Sequence, residues 1–164
     1  MFCIDDLIIY GTCGVCTVTD ICPSPFDKTD TRTYYRLKPR ELSAGDTIYT
    51  PVLNEKIPMR PLLSKEEGAA FLHAAASYPL PEIPVDKQRR EFYRLALLST
   101  DPLRALGVLR SIRRREQMLE LQRKHLPDLD REFYDRAMRH LTNELSIVLL
   151  RPKEEIAELL LKGL

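Results

Sequence analysis

Long apolar runs are missing from this 164-residue chain, histidine occurs three times, glycine six times and cysteine four times. No stretch approaches the roughly 18 consecutive apolar residues of a membrane span. The opening Met1-Phe2-Cys3-Ile4-Asp5-Asp6 also lacks the basic and apolar regions of a signal peptide, so a cytoplasmic protein is expected. There is no glycine-rich phosphate loop and no Ser-His-Asp order, and His73, His125 and His140 fall on separate expected helices. The sequence therefore predicts no enzyme, no cofactor and no small-molecule substrate. Repeats and low-complexity tracts are absent too.

All four cysteines, Cys3, Cys13, Cys16 and Cys22, lie in the first 22 residues. In a reducing compartment they are thiols or metal ligands rather than disulfides. Cys13-x2-Cys16 has the spacing of half a zinc site, but Cys16 to Cys22 must run along one strand and no second pair of ligands follows. No metal is expected, and the cysteines read as small thiols packed in a β core. A redox role fits poorly, because a turn between strands lacks the helix N-terminus that lowers a thiol's pKa.

What is present is a charge asymmetry. Residues 1–85 carry 8 Lys+Arg against 11 Asp+Glu, whereas residues 86–140 carry 14 against 9. Net charges of −3 and +5 follow, and they suggest that a polyanion meets the second region, although solvated Arg- and Glu-rich helices give similar counts.

The first third of the chain reads as short strands. Leu7-Ile8-Ile9-Tyr10, Val15-Cys16-Thr17-Val18, Tyr34-Tyr35-Arg36-Leu37 and Thr47-Ile48-Tyr49-Thr50 are β-branched or aromatic runs. Turn residues separate them: Gly11 to Gly14, the loop Pro23 to Asp30, and Leu42 to Asp46. Four or five strands in so short a span suit a small, strongly bent Tudor- or SH3-like barrel.

From Ser64 on, the pattern is helical. Ser64-x-x-Glu67 is a capping box opening a helix through about Ser77, and the prolines from Pro79 to Pro84 break it into a hinge. Asp86 is placed to cap a second helix to about Leu98. Asp101-Pro102 opens a third, with Leu103, Leu106, Leu109 and Ile112 on one face and Pro127 as its end. A fourth from about Asp130 aligns Tyr134, Ala137, Met138, Leu141, Leu145 and Val148, and Pro152 starts a fifth ending at Gly163. The expected fold is thus α+β: a Tudor/SH3-like β-barrel over residues 1–61, then a compact all-α domain of about five helices over residues 62–164.

Several segments together resemble the CarD/CdnL family of bacterial RNA polymerase-binding regulators, whose first domain is shared with the transcription-repair coupling factor. They are Ile9-Tyr10-Gly11, Gly14-Val15, Asp20-Ile21, Tyr34-Tyr35-Arg36-Leu37, Thr50-Pro51-Val52-Leu53-Asn54 and Met59-Arg60-Pro61-Leu62-Leu63-Ser64. Arg89-Arg90, Tyr93-Arg94, Ser99-Thr100-Asp101-Pro102 and Val108 to Ile112 continue the likeness into the helical part. The resemblance implies a Tudor-like domain that pairs a strand edge with the polymerase β subunit, and a helical domain that touches promoter DNA at the upstream edge of the open bubble.

By that likeness the polymerase-binding edge is Thr47, Ile48, Tyr49, Thr50, Pro51 and Val52, with Tyr49 where several relatives carry arginine. An unpaired edge is a template for an incoming strand, and the Ile48 N–H is expected to take part in that pairing. For DNA the resemblance implies backbone contact without sequence preference by Arg89, Arg90, Arg94 and Arg131. The chain has no tryptophan, and Arg89 stands where several relatives carry the one that wedges at the bubble edge, so phosphate contact is the main DNA interaction expected. Arg113-Arg114-Arg115 reads as a solvated helix face. A rival reading is an interaction adaptor whose basic helices meet an acidic protein and no DNA, and a third is a thiol- or zinc-based sensor.

Overall fold

A computed structural model describes residues 1–41, 46–75, 77–79 and 86–162. The expected turn over residues 42–45 and most of the proline-rich hinge lie outside the described residues, as do the Asp86 side chain and Gly163. The chain divides into two compact units, Met1–Leu62 and Leu63–Leu164.

The first unit is one antiparallel sheet of β1 (Leu7–Tyr10), β2 (Gly14–Pro23), β3 (Thr33–Pro39), β4 (Ile48–Pro51) and β5 (Met59–Pro61). Its order is β4-β3-β2-β1-β5. The β1–β2 connection is a tight 3-10 turn, and Gly11 (φ 44°) and Gly14 (φ 73°) take left-handed conformations there that a Cβ would strain. Ile8, Tyr10, Cys16, Val18, Tyr35 and Leu37 form the buried core, joined by Ile48 of β4 and Met59 of β5. Side chains from both edge strands meet in one cluster, so the sheet curls upon itself as in small barrels. A register shift between Val18 and Asp20 bends β2 against β3. β2 is longer than its apolar run, and β5 was not expected as a strand; Pro61 and the brevity of Met59–Pro61 hide it from pattern reading.

The second unit is all-helical: α1 (Lys65–Ala75), α2 (Asp86–Leu98), α3 (Pro102–Leu121), α4 (Asp128–Leu149) and α5 (Lys153–Leu161). The capping box forms as expected, for the Glu67 N–H donates to Ser64 Oγ at 3.1 Å and the Ser64 N–H to Glu67 Oε2 at 2.7 Å. Asp101 caps α3 by accepting from the Leu103 N–H at 2.9 Å, ahead of Pro102. α3 ends at Leu121, with Arg123 in a left-handed conformation (φ 56°), and Pro127 instead caps α4, which begins two residues earlier than expected. On α3, Leu106, Leu109 and Ile112 are buried, while Leu103 is partly exposed. The α4 core face includes Ala137, Leu141 and Leu145 as expected, and also Phe133 and Asp130.

Candidate functional site

Each unit carries one candidate surface, and the first is the open edge of β4. Among the described residues β4 pairs only with β3, matching Ile48 to Leu37, Tyr49 to Arg36, Thr50 to Tyr35 and Pro51 to Tyr34. The Val52 N–H donates to the Thr33 carbonyl at 2.9 Å. Hydrogen-bonded and open pairs alternate along an antiparallel ladder, so Thr50 and Ile48 also turn their N–H and C=O inward to β3. Tyr49 and Pro51 turn theirs outward. Proline has no N–H, which leaves Tyr49 as the residue of β4 that offers both a donor and an acceptor to another chain. The Ile48 N–H therefore faces β3 and not a partner, contrary to expectation.

Side chains alternate across the sheet in the same way. Ile48, Thr50 and Val52 face the core, and Tyr49 lies on the outer face beside an aromatic group. There Phe26, 74% exposed, meets Tyr49 edge-on at 5.7 Å and Tyr34 at 6.3 Å between ring centroids. The loop that carries Phe26 is tied down by Asp30, which accepts from Arg32 Nε and Nη2 at 2.7–3.1 Å and from the Tyr34 hydroxyl at 2.9 Å. These bonds, led by Arg32, hold the Asp30 carboxyl well below the usual carboxylate range. Arg32 also lies over the Tyr34 ring at 5.7 Å. Beyond Pro51, an open groove of about 560 Å³ is lined by Met1, Ile21, Thr33, Pro51, Val52 and Leu53. Phe26 was not expected at this surface, because it lies over twenty residues from β4 in sequence and only the folding back of the β2–β3 loop joins them.

The second surface lies on the helical unit, where the four arginines expected to meet DNA are placed very differently. Arg89 is 4% exposed, and its Nε lies 2.8 Å from Oδ1 of Asp130, itself fully buried in the first turn of α4. Arg115 of α3 brings its Nε within 3.2 Å of the other carboxylate oxygen. A guanidinium held this way has no surface to give a phosphate, so the expectation of DNA contact at Arg89 is corrected. Tyr93 packs against Phe133 beside this group, and burial, followed by the charge of Asp130, pushes its hydroxyl up to about 12.

Arg90, Arg94 and Arg131 are exposed. Arg94 donates through Nε and Nη2 to Glu91 at 2.8 and 2.6 Å, which lowers the Glu91 pKa and partly neutralises the arginine's field. The 113–115 run is not a uniformly solvated face: Arg113 pairs with Glu116, Arg115 turns to Asp130 and Arg114 is exposed.

No three His, Cys, Asp or Glu side chains among the described residues are gathered as a metal would require. Cys16 is buried and its thiol is pushed up to about 12 by burial and then by neighbouring Cys13, whereas Cys3 is exposed rather than packed in the core. No described helix is long and apolar enough to cross a membrane.

Residues 2–63 match the family model of the CarD-like/TRCF RID domain. A search of curated proteins finds no match to the chain.

Proposed function

We propose, from the match of residues 2–63 to the CarD-like/TRCF RID domain, a domain family that interacts with RNA polymerase, that this chain is a non-enzymatic transcription regulator that bridges the polymerase β subunit to upstream promoter DNA. It acts in the cytoplasm, on the nucleoid, by modulating open-complex stability. The observation that carries this reading is the open β4 edge, where Tyr49 presents a backbone donor and acceptor beside exposed Phe26 and the groove at Leu53. β5 is the poorer template, being three residues long with Pro61 at its end. Within the proposed segment Thr47 to Val52 the parts divide: Tyr49 and Pro51 face the partner, while Ile48, Thr50 and Val52 hold the edge in place.

For DNA, Arg90 and Arg131 are the freest of the expected residues and Arg94 contributes less, since Glu91 competes for it. Contacts to phosphate position without specifying sequence, so the expected binding is weak, salt-dependent and indifferent to sequence.

Proline substitution tests the edge. Tyr49→Pro removes an outward N–H and is expected to leave the sheet folded while abolishing capture of purified RNA polymerase by the full chain. Ile48→Pro removes an inward N–H and is expected to unfold the first unit. A folded Tyr49→Pro variant that binds polymerase like wild type would move the interface off β4.

A further inference from the structure

We infer that the polymerase segment added to β4 places an apolar side chain in the groove beyond Pro51, three positions along from the residue that exchanges bonds with Tyr49. The inference rests on the β4 edge reading above and names the chemistry of the partner at that edge. Its basis is the phase of the ladder together with the place where β4 stops.

Residues directly opposite one another in neighbouring strands send their side chains to the same face, whichever way the added strand runs. A residue set opposite Tyr49 therefore lies on the outer face beside Phe26. One set opposite Val52, an odd number of positions on, points to the inner face, where Ile48 and Val52 pack on the core. Ile21 shares that inner face, for Ile21 and Thr50 are both matched to Tyr35 of β3, and it lines the groove with Pro51, Val52 and Leu53. β4 ends at Pro51, and the chain turns at Val52 and Leu53 after a last inward bond from the Val52 N–H to the Thr33 carbonyl. A strand that follows the edge past Pro51 thus outruns β4, and its inward side chain meets the groove.

The lining sets what that side chain is. It is mostly apolar, and Leu53 within it is 91% exposed, so an apolar surface stands uncovered at the end of the edge. Among the lining side chains only Arg32 is charged, and its Nε and Nη2 are both given to Asp30 at 2.7–3.1 Å. A carboxylate entering the groove competes with Asp30 for that guanidinium and gives up water against Ile21 and Leu53. An aliphatic or aromatic side chain covers the same surface without either cost.

The test compares binding of the full chain and its variants to purified RNA polymerase by surface plasmon resonance, with thermal stability followed in parallel. Leu53→Asp places a charge in the groove at a residue that is solvated in the free chain, and is expected to weaken binding about tenfold or more at unchanged stability. Leu53→Met, which keeps the site apolar and its volume similar, is expected to stay within about twofold of wild type. Ile4→Asp, a charge at an exposed apolar residue outside the groove lining, is expected to bind as wild type does. The photo-crosslinker p-benzoylphenylalanine in place of Leu53 is expected to label an apolar residue of an extended polymerase segment. Wild-type binding by Leu53→Asp beside a loss for Tyr49→Pro overturns this inference and leaves the edge reading standing, as does an equal loss for Ile4→Asp. Labelling of a second copy of this chain, or of polymerase at charged residues alone, also overturns it. Wild-type binding by a folded Tyr49→Pro variant overturns both.

Discussion

Asp130 is a fully buried carboxylate shared by two arginines, and its environment decides what those arginines can do. Burying ions is costly, and a pair that has been buried is worth most as a constraint: removing one partner takes that countercharge from a poorly solvated site. Asp130→Ala is therefore expected to destabilise the helical unit by about 3–5 kcal/mol, read from urea unfolding followed by circular dichroism. A loss below about 1 kcal/mol would mean that solvent reaches Arg89 in the folded state. The same geometry explains why Arg89, flanked by Arg90 in a basic stretch, is not a surface residue. Its sequence neighbourhood is that of a solvated helix, and only the carboxylate forty-one positions later draws it inward.

At the scale of elements, β4 shows how alternation divides one strand between two tasks. Its inward residues Ile48 and Thr50 hold it to β3 and the core, and its outward residues Tyr49 and Pro51 give the edge its chemistry. The β2–β3 loop then adds to that edge. Phe26 packs on Tyr49 and Tyr34 yet keeps most of its surface in water, so a strand added to β4 gains an apolar contact already held in position. Phe26→Ala is expected to weaken polymerase binding about tenfold, by surface plasmon resonance, with unchanged thermal stability. Equal affinities would place the incoming chain away from the loop. The helices show a comparable division at α1, where the Ser64–Glu67 box satisfies backbone donors and fixes where the helical unit begins its first helix.

For the whole molecule, the proposed function would depend on two surfaces used together. Under that proposal, phosphate contact by a few arginines would be too weak and too indifferent to sequence to select a promoter, and attachment to polymerase through the β-rich unit would raise its effective concentration there. A regulator of this kind shifts an equilibrium only by binding one promoter state better than another. Arg90→Glu combined with Arg131→Glu is expected to shorten the lifetime of open promoter complexes while leaving polymerase binding intact, and the wild-type advantage should shrink as salt rises. Equal lifetimes for the two proteins would favour an adaptor that meets protein alone.

The amino-acid sequence by itself determined the α+β class, the positions of four of the five strands, the helical character after Ser64 and its capping box. These features are local: period-two and helical spacings, prolines, and side chains that bond their own backbone within a few residues. The ordered signatures from Ile9 to Ser64 likewise carried the family of the first unit. Tertiary structure alone decided which N–H of β4 faces outward, because that depends on the phase of the ladder with β3 and not on residue type. It alone brought Phe26 to Tyr49, and it alone separated Arg89 from Arg90, since adjacent arginines are alike in sequence and differ only in whether a distant carboxylate takes one of them out of water.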